Sequence, residues 1–517
     1  TGRALISPRS PVGGPMEEQP SKALDIAKRG DMNKAEHAML RWMDKNPTDF
    51  ETVAAYATRM FEKANYGLAM HLYKYLLNVW LEMPEQYRPI MWAQIGSCLR
   101  IEGFDEGATF AFNKAIELDP KCSAAYNGIG ICYINQGEPE KVIEWCSKAL
   151  ELEPDQPSAL WNRSIGYLEM GRWKEGWAGY AYGERTSHRT YHEDRKTPEW
   201  DGKRNRCVVI HGEQGVGDEI MFGTCLPDIV SKCREVILDC HPRLEKTFRR
   251  SFPGLTIYPT RKTSQITWPY HHKIDRQIPI GNLPRFFRND DRDFPGTAYL
   301  KADPERVAFY RAKLEAIGPG PYIAIAWFGG EKKTRYDYRS VSLKLWQPLR
   351  SIGGTFVSIQ YNKWGHRKEA AENKLPEWPG YYDANGPIED LDEMFALIQA
   401  CDLVISVCQT AVHMAGAIGK ECWCLTPSKP AWRYLTKGER MPWYNSVQLI
   451  RQAKDESWEF VIGKVAEKYQ VWKNSLFKSP GLRGSEAMES ATSQAVPRGM
   501  AGSVEEVRTA GEQGGIQ

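Results

Sequence analysis

Three stretches of the chain place polar or charged residues directly after a run of apolar residues. The first runs from Gly212 to Asp218 and holds three glycines besides its carboxylates. Backbone N–H groups in such a loop can face an anion, since Gly215 and Gly217 allow a close approach. Asp218 is expected just inside the following helix, near its positive end, where capping that helix is its alternative role.

The second stretch, Trp327 to Leu343, leaves another apolar run through two glycines and then carries cations. A cation in this loop can clamp a diphosphate, and arginine does so with a bidentate fork. Arg339, which stands before Ser340 and a predicted helix, is the favoured functional residue. The remaining cations are Lys332, Lys333 and Arg335. A solvated loop is the better interpretation of the two lysines.

The third stretch, Ser406 to Lys420, ends an apolar run and opens a helix with Gln409 and Thr410. Small residues along that helix permit close packing on a sheet, and its first N–H groups would point at a ligand phosphate. His413 falls in the first turn, where the helix dipole lowers the pKa of the imidazole and favours its neutral form. The alternative is a core histidine on an apolar helix.

A dinucleotide-binding fingerprint competes with this interpretation of the first loop. That fingerprint needs Gly-x-Gly-x-x-Gly and an acidic residue about twenty positions later. Gly215 and Gly217 supply the first pair, and Asp239 ends the next predicted strand. Ile220 stands where the third glycine belongs, so nicotinamide binding is kept as a minor alternative.

Alternating strands and helices must position these three loops. Apolar runs such as Cys207–His211 and Tyr322–Ala326 are typical of strands in a parallel sheet that is buried on both faces. We predict two α/β halves, at residues 205–318 and 319–475, with a closing helix and a cleft between the halves. The end of the first half, up to about Gly320, is predicted to be loops. Ligands of such sheets bind beyond the carboxyl ends of the strands, where all three stretches lie.

A repeat of 34 residues precedes this region. Gly103, Gly137 and Gly171 follow that spacing, and other small residues repeat with them. The period is the signature of tetratricopeptide repeat (TPR) helix pairs, which cannot bury their apolar faces alone and must stack. We therefore predict an N-terminal TPR α-solenoid over residues 21–185, which can bind a partner or form a dimer contact.

Composition sets the broad class of the chain. It has 517 residues, is 42% hydrophobic and carries a net charge of +3, which provides no strong field for nucleic acid or acidic lipid. No apolar stretch reaches the length of a membrane span. The 12 cysteines are scattered in apolar contexts, which indicates a reduced, cytoplasmic protein. Residues 1–20 and 476–517 are predicted to be disordered tails, and the first lacks the apolar core of a signal peptide.

Two Asp-x-Asp patterns are the candidates for a metal site. They fall at Asp291–Asp293 and Asp390–Asp392, and neither follows a predicted strand of the sheets. The second pattern has the form of a helix cap. We therefore predict no metal.

Several segments together resemble a known group of proteins. They are HGEQGVGDEI, RSVSL, DLVISVCQTAVHMAGAIGK, and PSKPAWRY followed by MPWY. In order and spacing they resemble TPR proteins of bacteria and phages whose carboxyl-terminal domain is similar to the heptosyltransferase-like glycosyltransferases of the GT-B class. The resemblance covers about residues 158–472. O-GlcNAc transferase, which also joins TPR repeats to a GT-B pair, is a more distant relative in architecture.

The resemblance implies two Rossmann-like halves, a nucleotide-sugar donor, and inverting sugar transfer without an essential metal or cofactor. Heptosyltransferases use the aspartate of their Gly-Asp loop as general base, which corresponds to Asp218, and Glu213 is the next carboxylate to test. Their diphosphate-binding cation corresponds to Arg339, and their donor nucleotide lies against the segment matching Gln409 to His413. The implied donor-binding residues are Gly215, Gly217, Trp327, Arg339, Ser340, Gln409, Thr410 and His413.

One departure from that group is visible, because many of its members have Asp-Thr where this chain has Cys408-Gln409. The change alters residues that would contact the donor, and it favours a second function: a non-catalytic TPR interaction scaffold with a degenerate GT-B domain. The leading prediction is an enzyme, a GT-B glycosyltransferase whose protein or glycan acceptor docks on the solenoid.

Overall fold

The structure, a computed structural model, describes most of the chain. It covers residues 32–45, 50–62, 65–78, 85–186, 188–189, 197–261, 266, 268, 271–329, 336–360, 382–383 and 390–478. The chain divides into two compact units, Thr1–Val465 and Ala466–Gln517. The second unit is described only up to residue 478, as the end of one helix. The predicted tail at 1–20 lies outside the described residues, as does the other tail from residue 479 onward.

The N-terminal part of the first unit is a helical solenoid. From its second described helix onward, each helix packs on the next along the chain. Gly103, Gly137 and Gly171 lie between paired helices with φ of +87°, +73° and +72°, a region that disfavours side chains. These turns confirm the predicted 34-residue repeat. The described helices are α1 Met32–Lys45, α2 Phe50–Glu62, α3 Tyr66–Asn78, α4 Arg88–Ile101, α5 Asp105–Leu118, α6 Ser123–Gln136, α7 Pro139–Leu152, α8 Pro157–Glu169 and α9 Trp173–Tyr180.

A four-stranded parallel sheet follows the solenoid, in the order β3-β2-β1-β4. Its strands are β1 Cys207–His211, β2 Glu235–Asp239, β3 Thr256–Tyr258 and β4 Arg276–Pro279. β1 is buried along its whole length, as its apolar sequence predicts. His211 pairs in register with Asp239, so the carboxyl ends of β1 and β2 lie at the same edge of the sheet.

A seven-stranded sheet comes next, in the order β10-β11-β9-β8-β5-β6-β7. β10 pairs antiparallel with β11, and the other neighbours are parallel. Its strands are β5 Tyr322–Ala326, β6 Thr355–Ser358, β7 Tyr382–Asp383, β8 Leu403–Val407, β9 Cys422–Thr426, β10 Arg440–Met441 and β11 Tyr444–Arg451. The predicted order of a helical solenoid followed by an α/β region with parallel sheets is therefore confirmed.

Helices alternate with these strands along the chain. They are α10 Val216–Phe222, α11 Leu226–Val230, α12 Glu245–Ser251, α13 Pro284–Phe287, α14 Pro304–Ile317, α15 Gln347–Ile352, α16 Leu391–Ala400, α17 Thr410–Ala417 and α18 Trp458–Lys478. α10 and α17 follow β1 and β8 directly, so each begins at the carboxyl edge of its own sheet.

The prediction of loops up to about Gly320 is wrong. β4 pairs with β1 in parallel, and α14 begins after Asp303, whose carboxylate accepts hydrogen bonds from Glu305 N at 3.0 Å and Arg306 N at 3.1 Å. β4 is short and begins with an arginine, so it lacks the apolar run of a buried strand. The apolar residues of α14 are spread around the helix, which removes the usual periodic signal.

One apolar core joins the end of the solenoid to both sheets. Trp177 and Tyr180 of α9 belong to the same cluster of buried residues as Val208 of β1 and Ala324 of β5. Trp177 also donates a hydrogen bond from Nε1 to the carbonyl oxygen of Arg288 at 2.6 Å. The last repeat is thus built into the α/β region.

Candidate functional site

The first predicted loop leaves the carboxyl end of β1 and turns into α10. Gly215 precedes that helix, and Asp218 lies in its first turn. The Oδ2 atom of Asp218 accepts a hydrogen bond from Gly215 N at 3.1 Å. The aspartate therefore caps its helix, as its alternative role predicted, and this contact engages one of its two carboxylate oxygens.

The third predicted loop, at the carboxyl end of β8, lies against the first. α17 begins at Thr410 after Gln409. A Cβ atom placed on Gly217 would lie 3.3 Å from both Thr410 Oγ1 and His413 Cδ2. The missing side chain of Gly217 lets the loops approach this closely, so residues from the two sheets form one site.

Arg433, which was not among the predicted site residues, also belongs to this site. Its Nη2 atom donates to Asp218 Oδ1 at 2.5 Å, an ion pair between loops of the two sheets. The Arg433 and Asp218 side chains are 20% and 16% exposed, so solvent screens the pair only in part. Arg433 stands in the segment PSKPAWRY, which follows β9 at the same sheet edge as the other loops. A basic residue after a buried strand was the signal that could have identified it.

Arg339 reaches the same place from the loop after β5. Its Nη1 atom donates to the carbonyl oxygen of Cys408 at 2.9 Å, at the end of β8. A Cβ atom on Gly329 would collide with the Arg339 stem, so the glycine makes room for that side chain. Burial lowers the pKa of the Arg339 guanidinium, while Tyr434, Cys408 and Asp218 act in the opposite direction. The guanidinium therefore lies within electrostatic reach of the aspartate.

Trp327 and Ser340 hold together the ends of the loop that carries Arg339. Val341 N donates to Trp327 O at 2.9 Å, and Gly329 N donates to Ser340 Oγ at 3.3 Å. The Trp327 side chain is buried, with 1% exposure, so it supports the loop from within. The predicted cations Lys332, Lys333 and Arg335 lie outside the described residues.

His413 is a buried residue of α17, with 2% exposure. Its ring centroid lies 6.2 Å from that of Tyr434 and 5.9 Å from that of Tyr444. Burial lowers the pKa of the imidazole well below 6.5, and the charge of Arg433 lowers it further. This direction agrees with the predicted neutral form, and its causes are burial and a neighbouring cation.

The two residues that depart from the resembled group lie at the end of β8. Cys408 is buried, and its Sγ atom lies 3.6 Å from Sγ of Cys424 on β9. Gln409 donates from Nε2 to Ser406 Oγ at 3.4 Å, and both Gln409 and Thr410 are partly exposed. The Cys408 thiol therefore belongs to the core, whereas the Gln409 amide lies beside the N-terminus of α17.

Glu213, the other carboxylate near the glycine loop, has a structural role. It is fully buried, and its Oε1 atom accepts a hydrogen bond from Arg189 Nη2 at 2.5 Å. Gly281 N donates to the same oxygen at 2.8 Å. Arg189 also donates to Asn282 Oδ1 at 2.7 Å. A carboxylate held in this way is closed to an acceptor, which leaves Asp218 as the candidate base of this loop.

A second buried ion pair supports the glycine loop. Arg261 pairs with Glu219 of α10 and donates to the carbonyl oxygen of Gln214. Gln214 has φ of +57°, a conformation that costs a non-glycine residue about 1–2 kcal/mol. Its side chain donates from Nε2 to Tyr180 Oη at 2.9 Å. The loop is thus held from the sheet side by Arg261 and from the solenoid side by Tyr180.

Asp239 ends β2 as the dinucleotide alternative requires, but it is buried, with 1% exposure. Its Oδ1 atom accepts hydrogen bonds from Thr260 N at 3.0 Å and Thr260 Oγ1 at 2.8 Å. Its Oδ2 atom accepts from Trp268 Nε1 at 3.2 Å. Both oxygens serve the packing of the first sheet, so the carboxylate is not presented to a ribose.

The Asp-x-Asp patterns have structural partners. Asp390 precedes α16 and accepts a hydrogen bond from Asp392 N at 2.9 Å, which confirms the predicted helix cap. Asp291 accepts from Trp173 Nε1 of the solenoid at 2.7 Å. Within the described ranges, no group of three or more His, Cys, Asp or Glu side chains is arranged to hold a metal ion.

The loop that carries Arg433 also contacts the solenoid. Thr436 N donates to the carbonyl oxygen of Glu169, at the end of α8, at 3.2 Å. A Cβ atom on Gly137 would lie 3.3 Å from Lys429 Cγ, so the turn between α6 and α7 rests on the same loop. The solenoid therefore supports one side of the loop that carries Arg433.

Known proteins resemble this chain in two ways. The tetratricopeptide repeat family matches residues 123–156, which contain α6 and α7. Protein FlbA of Caulobacter vibrioides is 30% identical over 404 residues, which are 73% of this chain and 66% of FlbA. A TPR repeat-containing protein of Methanocaldococcus jannaschii is 41% identical over 64 residues, covering 12% of this chain and 11% of that protein. The chain thus spans just under two thirds of FlbA.

Solved structures of TPR proteins align with about a third of this chain. MamA shares 19% identity over 32% of this chain and 94% of MamA, with a TM-score of 0.26. A thermophilic TPR protein of Thermus thermophilus shares 22% identity over 33% of this chain and 92% of that protein, also with a TM-score of 0.26.

None of the described helices combines the length and apolar composition needed to cross a membrane. The chain is a TPR-repeat protein, a homologue of FlbA in which a helical solenoid precedes an α/β region of parallel sheets.

Proposed function

We propose that this chain is a GT-B glycosyltransferase with two Rossmann-like halves. It would transfer a sugar from a nucleotide-sugar donor to a protein or glycan acceptor. The observation that carries the proposal is the ion pair between Asp218 and Arg433, which joins loops of the two sheets, with Arg339 bonded to the neighbouring end of β8. One carboxylate and two guanidiniums suit a reaction that removes a proton and releases a diphosphate.

The proposed reaction is a single displacement at the anomeric carbon of the donor sugar. The acceptor hydroxyl oxygen forms a bond to that carbon, and Asp218 takes the hydroxyl proton. The bond from the carbon to the diphosphate oxygen breaks, and its electron pair leaves with the nucleoside diphosphate, so the configuration inverts. Arg339, Arg433 and the N–H groups that begin α17 stabilise the leaving charge. These groups supply positive charge without a metal, so we propose a metal-independent reaction.

Burial divides the predicted donor-binding residues into two sets. Partly or fully exposed positions can touch a donor directly, and these are Gly215, Arg339, Ser340, Gln409 and Thr410. Buried positions instead set the geometry of the loops, and these are Gly217, Trp327 and His413. We therefore propose direct donor contact for the first set and a supporting role for the second.

A panel of nucleotide sugars tests the proposal. Release of nucleoside diphosphate should be detected with at least one donor, and Asp218→Asn should lower it by roughly a hundredfold or more. Binding of the same donor should survive in that variant, because its cations and α17 are unchanged. Asp201→Asn, at a more exposed aspartate before β1, is the matched control. Full turnover in Asp218→Asn would contradict the assignment of the base.

A non-catalytic scaffold is the second candidate function. The TPR match favours it, since stacked repeats offer extended surfaces to protein partners. So does the engagement of both Asp218 oxygens by Gly215 and Arg433. Thermal unfolding across the same panel separates the two functions, because a ligand at a hundred times its Kd adds about 2.7 kcal/mol of stability. A flat response to every nucleotide sugar would support the scaffold.

A further inference from the structure

We propose that Arg433 exchanges partners during the catalytic cycle. It holds Asp218 in the unliganded protein and binds the diphosphate of a nucleoside diphosphate when one enters the site. The inference rests on the proposed function, which supplies that ligand. It makes Arg433 a second diphosphate-binding cation beside Arg339, and it makes the availability of Asp218 depend on donor binding.

The ion pair leaves the Arg433 guanidinium with unused hydrogen-bonding capacity. Within the described part of the chain, the guanidinium makes one hydrogen bond, from Nη2 to Asp218 Oδ1. Its buried Nε atom has no hydrogen-bond partner there. A guanidinium carries five N–H donors in a planar fork that fits two phosphate oxygens at once. A diphosphate would therefore satisfy donors that the aspartate does not.

The balance of charge around Arg433 favours an anion. Burial lowers the pKa of Arg339 and of His413, and the charge of Arg433 lowers both further. Two guanidiniums thus share this place with a neutral imidazole and the single negative charge of Asp218. The start of α17 adds the partial positive charge of a helix N-terminus. A diphosphate carries enough negative charge to offset the excess, whereas the carboxylate does not.

The backbone that carries Arg433 is held on both sides. Arg451 of β11 donates from Nη1 to the carbonyl oxygen of Leu435 at 3.0 Å. On the opposite side, Thr436 N donates to the carbonyl oxygen of Glu169 in the solenoid at 3.2 Å. A long side chain on a fixed loop can change partner by rotating about its own bonds. The exchange therefore needs no movement of either sheet.

The exchange would order the steps of the reaction. In the structure, the Oδ2 atom of Asp218 accepts a hydrogen bond from Gly215 N and the Oδ1 atom accepts one from Arg433 Nη2. A bound diphosphate draws the guanidinium away and frees Oδ1 for the proton of the acceptor hydroxyl. The base then becomes available when a leaving group is present to be expelled.

Calorimetric titration with uridine, guanosine, adenosine and cytidine diphosphates and with inorganic pyrophosphate tests this exchange. Asp218→Asn should tighten binding, because Arg433 no longer has to leave a carboxylate. Arg433→Ala should weaken binding roughly ten- to a hundredfold, the range for a charge-assisted hydrogen bond. The decisive comparison is Arg433→Ala in the Asp218→Asn background. A direct contact predicts a loss at least as large there, since Arg433 pays no cost for leaving a carboxylate, whereas an arginine that merely masks Asp218 predicts no loss and would overturn the proposal.

Arg292→Ala, at a side chain that is 89% exposed, removes the same charge and should leave the affinity within about twofold. Circular dichroism checks folding, and Arg433→Gln carries the test if the alanine variant does not fold. Pyrophosphate binding that depends on Arg433, without sugar transfer, would uphold the exchange and reject the proposed function. Transfer with an unchanged affinity in Arg433→Ala would reject the exchange alone. No binding of any diphosphate to any variant would reject both.

Discussion

Gly217 and His413 lie in the first turns of α10 and α17, which follow strands of different sheets, and a Cβ atom on Gly217 would be 3.3 Å from the imidazole Cδ2 atom. That distance is tighter than an ordinary van der Waals contact, so the loops meet because the glycine lacks a side chain. The contact brings Asp218, the next residue, beside the start of α17. The arrangement of the candidate site therefore depends on the absence of one side chain.

Gly217→Ala should disturb this contact. The added methyl group must displace Thr410 or His413, and overpacking of this kind costs about 1–3 kcal/mol of unfolding free energy. Affinity for nucleoside diphosphates should fall as well, since α17 and the glycine loop move apart. Urea unfolding and calorimetric titration measure the two effects.

Gly463→Ala is the matched control for that substitution. Gly463 lies inside α18, and a Cβ atom there meets nothing within 4 Å. Alanine in a helix interior should raise the free energy of unfolding by roughly 0.5–1 kcal/mol. Diphosphate affinity should be unchanged. Equal destabilisation by both substitutions would contradict the steric role given to Gly217.

The pKa of His413 predicts a pH dependence of stability. Its native value lies well below 6.5, so between the native and unfolded values the unfolded chain binds the extra proton. The free energy of unfolding should therefore fall as the pH drops below about 6.5, by up to roughly 1.4 kcal/mol per pH unit.

His413→Gln should remove this dependence, because glutamine does not titrate. The measurement is urea unfolding of both proteins from pH 8 to pH 5, plotted as their difference. Tyr444→Phe, which deletes the hydroxyl 3.4 Å from His413 Nδ1 but keeps the ring buried, should retain the slope. A difference curve that stays flat through this range would show that the native ring takes up a proton freely.

The strands that position the site could be predicted because burial on both faces gives each of them a continuous apolar sequence. Cys207–His211 and Tyr322–Ala326 are buried on both faces, and their apolar runs gave the observed bounds of β1 and β5. β11, Tyr444–Arg451, was missed because buried positions are mixed with exposed polar ones. The loops after β1, β5 and β8 were expected to converge, since ligands bind beyond the carboxyl ends of such strands and the two predicted halves face a shared cleft.

The ion pairs of the site could not be predicted in the same way. Asp218 and Arg433 are 215 positions apart, and nothing local to either residue specifies the other. Arg189 with Glu213 and Arg261 with Glu219 likewise depend on how separate segments pack. The sequence therefore indicated which loops hold the chemistry, whereas the partner of each charge is fixed by tertiary structure.

Breaking the buried ion pair of Arg189 and Glu213 should lower the free energy of unfolding substantially. Arg189→Met leaves a carboxylate without its cation in the core, which costs about 3–5 kcal/mol of unfolding free energy. Adding Glu213→Gln should recover much of that loss, since an amide is cheaper to bury than an unpaired charge. Chemical unfolding of the single and double variants measures this. An Arg189→Met protein as stable as the parent would refute the pairing.

The shared core predicts that the α/β region does not fold stably without the last solenoid repeat. Trp177 lies 5.6 Å from Trp432 and Tyr180 lies 6.0 Å from Phe222, measured between ring centroids. Removing α9 would expose these aromatic faces, each of which buries about 150–250 Å² in a protein core. A fragment of residues 205–478 should therefore bind hydrophobic dyes and lack a cooperative unfolding transition.

A fragment of residues 123–478, which keeps α6 to α9, is the control and should unfold cooperatively. It should also retain the diphosphate affinity of the full chain, because the loop that carries Arg433 keeps its contacts with Glu169 and Gly137. Near-ultraviolet circular dichroism reports the packing of the aromatic cluster in both fragments. If residues 205–478 alone gave a native aromatic spectrum and full affinity, the last repeat would be an attached module, and the solenoid would have no part in placing the cation that faces Asp218.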